Sequence, residues 1–191
     1  MTQHTFPFQF VANDLSLDLV NTRINAEAAI HDLIETPSQL AQWLQEVGLN
    51  CPVDTWTKVE FAKLHQLRDA LAQVSNAVIE HTEVNPDAIA LINTHLLNHR
   101  SDLRLSKNTH GFQVSKRDLP LSASALMGLI AFTAAEMFAS TDSKRLKVCA
   151  HTDCVLVFKD ISKSGKRRWC SMDTCGNRSK VAAFRSSGEG R

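Results

Sequence analysis

Residues 149–180 read CAHTDCVLVFKDISKSGKRRWCSMDTCGNRSK, and four of the chain's five cysteines fall among them as Cys149-x4-Cys154-x15-Cys170-x4-Cys175. Two close pairs separated by a hairpin-sized gap let four thiolates reach one tetrahedral zinc ion, each pair gripping it from one turn. The gap predicts a hairpin. Val155 to Lys159 is β-rich, Ser164-Gly165 marks a turn, and Arg167 to Cys170 returns. Cys175 then opens a helical stretch, GNRSKVAAFRSS. The order knuckle, hairpin, helix predicts a treble-clef-like four-cysteine finger with one structural Zn2+. Four protein ligands leave no position for water or substrate, so the metal's expected role is architectural rather than catalytic. His151, inside the first pair, is an alternative ligand. Two disulfides would need an oxidising compartment. Cys51 stands apart in GLNCPVD as an unpaired thiol.

Charge divides the chain at the same place. Residues 1–143 carry 9 Lys and Arg against 16 Asp and Glu, and residues 144–191 carry 12 against 4. Opposite-sign parts of this kind predict a basic module appended to an acidic body. Lys163, Lys166, Arg167 and Arg168 crowd the expected hairpin tip and return strand, while Arg178, Lys180 and Arg185 decorate the following helix. These seven are the candidate nucleic-acid contacts, since such a helix and hairpin tip could reach phosphates on double-stranded DNA. Val181 and Phe184 are expected to pack inward, with Arg178 and Arg185 sharing the opposite face. Trp169 is expected against the knuckle, and Asn177 as the helix cap, with Gly176 allowing close approach to the metal. A basic surface lying on the acidic body is the competing reading.

These residues resemble the CGNR-type zinc finger of bacteria. The resemblance is carried by the four cysteines, the F-x-D of Phe158 and Asp160, the RRWCSM run and the CGNR tetrapeptide. Upstream, LSLDLVNTR at residues 15–23 is similar to the LDFVNT motif that begins the ABATE domain, with Leu19 where phenylalanine is more usual. The resemblance implies two domains. Residues 1–143 would be a helical ABATE-like ligand-sensing domain, and residues 144–191 the finger. It further implies a stress-induced transcription regulator that binds DNA through the finger.

The acidic part reads mainly as helices, so the expected fold class is mainly α with a small β-hairpin. Residues 13–30 are a candidate helix. Thr36 and Gln39 form a capping box with Pro37 at the first helical position and Gly48 as a stop. Residues 55–82 place Leu64, Leu67, Leu71, Val74 and Val78 at heptad-like spacing. Asn85-Pro86 caps a helix through about 99, residues 102–116 alternate around His110-Gly111 as a hairpin, and 121–140 form a last helix.

In LSLDLVNTRIN, Asp18, Asn21, Thr22 and Asn25 recur at helical intervals amid leucines. With Arg68 they are expected either to converge on a pocket for a small anionic or zwitterionic ligand, or to form a packing ion pair. An enzyme acting at the Asp18/Asn21/Arg68 cluster and a protein–protein adaptor are the alternatives to a regulator. No phosphate loop, GxSxG or HExxH occurs, and no enzyme is expected. His95 and His99, four apart, lack a carboxylate at ligand spacing and read as a polar helix face. The N-terminal stretch lacks a secretory signal, and no apolar run approaches the roughly 18 residues of a membrane span. A cytoplasmic protein that does not enter membranes is therefore expected. A homodimer would let two fingers read a longer DNA site.

Overall fold

A long helix organises the N-terminal part of the structure, a computed structural model that describes residues 6–99, 103–116 and 120–188. Residues 1–5, 100–102, 117–119 and 189–191 of the expected body, hairpin and finger lie outside the described residues. That long helix, α3 (Lys58–Glu80), is started by a Thr57/Glu60 capping box and stopped at His81, whose φ of 56° is left-handed. It packs against α1 (Leu15–Val20), α4 (Pro86–Leu96) and α5 (Ala123–Ala139). Leu64, Leu67, Leu71 and Val74 are buried on its core face, as the spacing predicts, beside Leu40, Trp43 and Leu44 of α2 (Pro37–Glu46). Both elements of the Thr36/Gln39 capping box form, and Gly48 leaves α2 with φ 73°. Asn85 accepts the Asp87 N–H at 2.9 Å and starts α4. At the α4–α5 crossing, a Cβ on Gly128 would lie 2.5 Å from backbone atoms of Asn98 and His99, so only glycine permits this approach.

The helix expected over 13–30 is corrected. Asp14 caps α1 by accepting from Ser16 N at 2.9 Å, but α1 ends at Val20. Thr22 Oγ1 then donates to Leu19 O at 2.7 Å, competing with further helix. The chain turns into β1 (Arg23–Ala26), paired antiparallel with β2 (Ala29–Asp32) so that Arg23 faces Asp32 and Asn25 faces Ile30. Glu27 and Ala28 make the turn with φ of 52° and 61°. Further on, β3 (Leu103–Asn108) pairs with β4 (Gly111–Lys116) around Thr109-His110, close to the expected hairpin.

A 3-10 turn over Thr141–Arg145 leads into β5 (Leu146–Val148), which pairs with β6 (Val157–Lys159). The finger's hairpin therefore forms across the knuckle, one segment earlier than expected. Arg167 to Cys170 returns without becoming a strand, held by Ala150 N donating to Arg168 O at 2.8 Å. A wide turn at Met172–Gly176, closed by Gly176 N donating to Ser171 O at 3.0 Å, runs into α6 (Asn177–Gly188). Ser171 rather than Asn177 caps this end, accepting from Thr174 N at 3.4 Å, while Asn177 Nδ2 donates to Asp173 O. The structure is mainly α, with three small antiparallel hairpins among the described residues and the four cysteines gathered near its C-terminal end.

The two parts share buried clusters. Ala12, Leu17 and Met137 share a buried cluster with Leu146 and Val157. Ile24 and Leu33 share another with Leu156, Phe158 and the cysteines. Residues 11–13 lie along β6, where Lys159 N donates to Ala12 O at 2.9 Å and Asn13 Nδ2 donates to Lys159 O at 3.1 Å.

Candidate metal centre and basic surface

Cys149 leaves β5 with its N–H bonded to Leu156 O at 2.9 Å, and Cys154 closes the knuckle by donating to His151 O at 3.0 Å. The return segment delivers Cys170, whose N–H donates to Cys149 Sγ at 3.4 Å, and the wide turn before α6 delivers Cys175. All four Sγ atoms lie within 4.8 Å of one another. Cys154 and Cys170 sulfurs are 3.8 Å apart, and Cys170 and Cys175 sulfurs 3.6 Å. A tetrahedral ion with zinc–sulfur bonds of about 2.3 Å requires sulfurs about 3.8 Å apart, so the spacing fits.

Electrostatics point the same way. The Cys154 thiol is pulled below the ordinary range by a hydrogen bond from Cys170, more strongly than burial opposes it. Cys170 is pushed up by giving that bond and by burial. Cys175 is raised by burial and by the Cys154 charge. Without a cation one thiolate forms at its neighbours' expense, whereas a divalent ion lets all four ionise. The site fits one structural Zn2+. His151 stays outside the group, because its Nδ1 accepts from Asp153 N at 3.2 Å.

A polar network supports this centre. Asp160, at 0% exposure, accepts Lys147 Nζ at 2.6 Å, Ser162 N at 2.9 Å and Arg167 N at 2.9 Å. Burial alone would raise its carboxyl, but Lys147 and the Ser162 and Arg167 donors more than offset that and hold it well below the usual range. Lys147 Nζ also donates to Gly165 O at 2.7 Å and Arg167 O at 3.0 Å.

Arg167 is engaged differently from the other six candidate phosphate contacts. Its guanidinium lies over the Phe158 ring at 4.4 Å, donates to Trp169 O at 2.9 Å and Val11 O at 3.2 Å, and bonds Cys170 O. It braces the metal loop against the N-terminal segment. Lys163, Lys166 and Arg168 are exposed, Arg168 lying over Trp169 at 5.0 Å, and Arg178, Lys180 and Arg185 are exposed on α6. Trp169 packs against the cysteine cluster as expected. Val181 and Phe184, expected to pack inward, are instead 49% and 80% exposed. The helix is rooted by buried Cys175 and Gly176.

The structure does not bring Asp18, Asn21, Thr22 and Arg68 to one pocket. Arg68, 2% exposed, donates through Nη1 to Thr22 Oγ1 at 2.8 Å and to Asp32 Oδ1 at 2.8 Å, and pairs again through Nη2 with Asp32. Beside it, between Leu19, Ile34, Leu64 and His65, there is no room for a water-sized molecule. Burial alone would raise the Asp32 carboxyl, but the Arg68 hydrogen bond and charge, together with the Ile34 N–H, more than offset this and lower it. Asp18 points elsewhere, accepting Ala12 N at 3.1 Å, and burial pushes its carboxyl up to about 6. Asn21 reaches the finger, with Nδ2 donating to Val157 O and Oδ1 accepting Val157 N, both at 2.9 Å. The geometry is the packing ion pair in one place and a clamp between regions in another.

Lys147 and Asp32 were missed. Lys147 sits two residues before a ligand in a short strand, a period-2 signal that could have marked it as inward. Nothing local links Asp32 to Arg68, which is 36 residues away.

Among the described residues no helix is long and apolar enough to cross a membrane. A family model described as "ABATE: Putative stress-induced transcription regulator" matches residues 13–141, and one described as "CGNR zinc finger" matches residues 145–187. Neither describes an enzyme. No curated protein matches the chain significantly. The first match begins at the segment that clamps β6 and spans most of the chain, and the second encloses the four thiolates. The chain therefore belongs to the ABATE family and carries a CGNR zinc finger at its C-terminal end.

Proposed function

We propose that this chain is a DNA-binding transcription regulator of the cytoplasm rather than an enzyme, with residues 1–143 as a regulatory domain and residues 144–191 as the DNA-contacting one. One observation carries the reading. Lys163, Lys166, Arg168, Arg178, Lys180 and Arg185 are all exposed, and none is ion-paired among the described residues. A zinc-anchored loop and a helix that present unpaired cations suit a phosphate backbone, with affinity that falls steeply as salt rises. Two chains on one duplex would read a longer site than one finger.

Fluorescence anisotropy of the zinc-loaded protein with duplex DNA at two salt concentrations tests this. We expect salt-sensitive binding that Arg178→Glu and Arg168→Glu each weaken severalfold while stability changes by less than about 0.5 kcal/mol. Undetectable binding at low salt would remove the reading. The apolar exposure of Met172, Val181 and Phe184 favours a protein partner as the second reading. That reading would gain if Val181→Asp abolished a co-purifying complex without affecting DNA.

A further inference from the structure

A cleft of about 430 Å³ opens where the N-terminal segment and the β1–β2 hairpin meet the finger. Its volume lies in the range of small-molecule sites, which favour domain junctions. Phe6 and Ile24 line one wall and Leu156 the other, giving the cleft an apolar floor. Glu27 stands on the hairpin side and Asp153 on the knuckle side, and neither is ion-paired among the described residues. Cys154, Cys170 and Cys175 also face it. A zinc ion with four thiolates carries about −2 in formal charge. Arg178 of the CGNR tetrapeptide is the one lining cation among the described residues. Glu27 is held at the rim by a turn in which it and Ala28 both adopt left-handed φ, 52° and 61°, a conformation for which Asn-Gly is the usual choice.

The charges lining the cleft are more negative than positive, and its lining is partly apolar and aromatic. An anion would be repelled, a neutral apolar molecule would leave the carboxylates unmatched, and an ammonium on an apolar body would satisfy both. We propose that the cleft binds a small organic cation of the arylalkylamine class and that its occupancy makes the surroundings of Arg178 more favourable to a phosphate. Arg178 belongs to both places, lining the cleft and standing with Arg185 along the exposed face of α6. A bound cation that neutralises Glu27 and Asp153 removes negative charge that would repel a phosphate approaching Arg178. By linkage, DNA then favours the amine-loaded state to the same degree. The coupling to Arg178 rests on the DNA-binding reading; the binding of the amine does not.

Isothermal titration calorimetry on the zinc-loaded full chain tests the site with 1-naphthylmethylamine, its neutral counterpart 1-naphthalenemethanol and its anionic counterpart 1-naphthoate. We expect the amine to bind one per chain, at least tenfold tighter than the alcohol, with the carboxylate weakest. Joint Glu27→Gln and Asp153→Asn substitution should weaken the amine at least tenfold with zinc content and melting temperature unchanged. Arg178→Ala should tighten it, a gain that misfolding would not produce. Equal binding of amine and alcohol, or amine affinity indifferent to the double substitution, overturns the site. DNA anisotropy with saturating amine then reads the coupling, and tighter binding is expected for the parent chain but not for Arg178→Ala. Amine binding that leaves DNA affinity unchanged overturns the coupling to Arg178 alone. Absence of DNA binding under every condition overturns the DNA reading and the coupling with it, while the calorimetry still decides the cleft.

Discussion

In the helical body Leu64, Leu67, Leu71, Leu126 and Ile130 are buried among other apolar side chains, whereas the most enclosed polar position described in the finger is an ionised aspartate, Asp160. The body follows the usual route of apolar burial, at about 25 cal/mol per Å² removed from water. The finger has little apolar mass of its own: Leu146, Leu156, Val157 and Phe158 are its buried non-cysteine hydrophobics. Metal ligation and the Lys147–Asp160–Arg167 network take the place of a larger core. Even those four residues pack partly on Ile24, Leu33, Ala12 and Leu17 of the body. A small module that borrows its neighbour's core depends on that neighbour, and the dependence should run both ways.

Zinc removal strains this comparison most. Structural zinc in small fingers is worth on the order of 10 kcal/mol, so chelation should unfold the finger outright. Hydrogen exchange should then show protection lost not only at 146–176 but also at 11–13 and 21–33, whose partners have gone. Full protection of 11–33 in the metal-free protein would show the regions to be independent.

Asp160→Ala comes next. It leaves Lys147 and the Arg167 and Ser162 amides without their acceptor, and breaking such a buried pair costs about 3 kcal/mol or more. A urea titration should show the midpoint falling with zinc stoichiometry reduced. A change under 1 kcal/mol would mean the network is incidental.

Asn21→Ala is smaller, roughly 2 kcal/mol, because it orphans both backbone groups of Val157. Asn25→Ala, four residues on and half-buried in β1, should change stability by less than about 0.5 kcal/mol. Equal effects of the two substitutions would contradict the clamp.

The smallest effect is in pH. Burial raises the Asp18 carboxyl to about 6 from 3.8, so between those values the folded chain binds a proton that the unfolded chain does not. Stability from this group therefore rises as pH falls through that window. Asp32 and Asp160 act oppositely: their contribution is full above about 3.8 and is lost as pH falls further through their depressed folded values. Burial lowers the pKa of His65 and His95, which therefore destabilise the fold as pH falls. The expected outcome is relative: from pH 7 to 4.5 the urea midpoint of Asp18→Asn should fall against that of the parent chain. An identical change in both proteins would show that Asp18 does not titrate in this window.

Local rules were legible where one stretch of chain satisfies them alone. Thr36 and Gln39, Asn85-Pro86, the leucine stripe of α3 and the cysteine spacing each announce their element because the partners lie within a few turns. The misreadings fall where a distant partner decides. Residues 21–26 carry helical polar spacing, yet Asn21 turns to Val157 and β1 pairs with β2, ending α1. Val155 to Lys159 is β-rich, but its strand pairs with the segment before the first cysteine rather than the one after it.

Arg167 and Arg168 mark the boundary between the two kinds of information. The sequence by itself determined that this protein has a helical body, four thiolates at zinc spacing and a strongly basic finger, because caps, periodicity and ligand spacing are local properties. It could not rank two adjacent arginines of identical chemistry. Only the tertiary structure turned one over Phe158 onto backbone carbonyls of the metal loop and left the other exposed. The same is true of Asp18, Asn21 and Arg68, whose partners at Ala12, Val157 and Asp32 are set by how the segments pack. The physical reason is that a polar side chain is committed by whichever donor or acceptor burial places within about 3 Å, and packing alone brings that partner there.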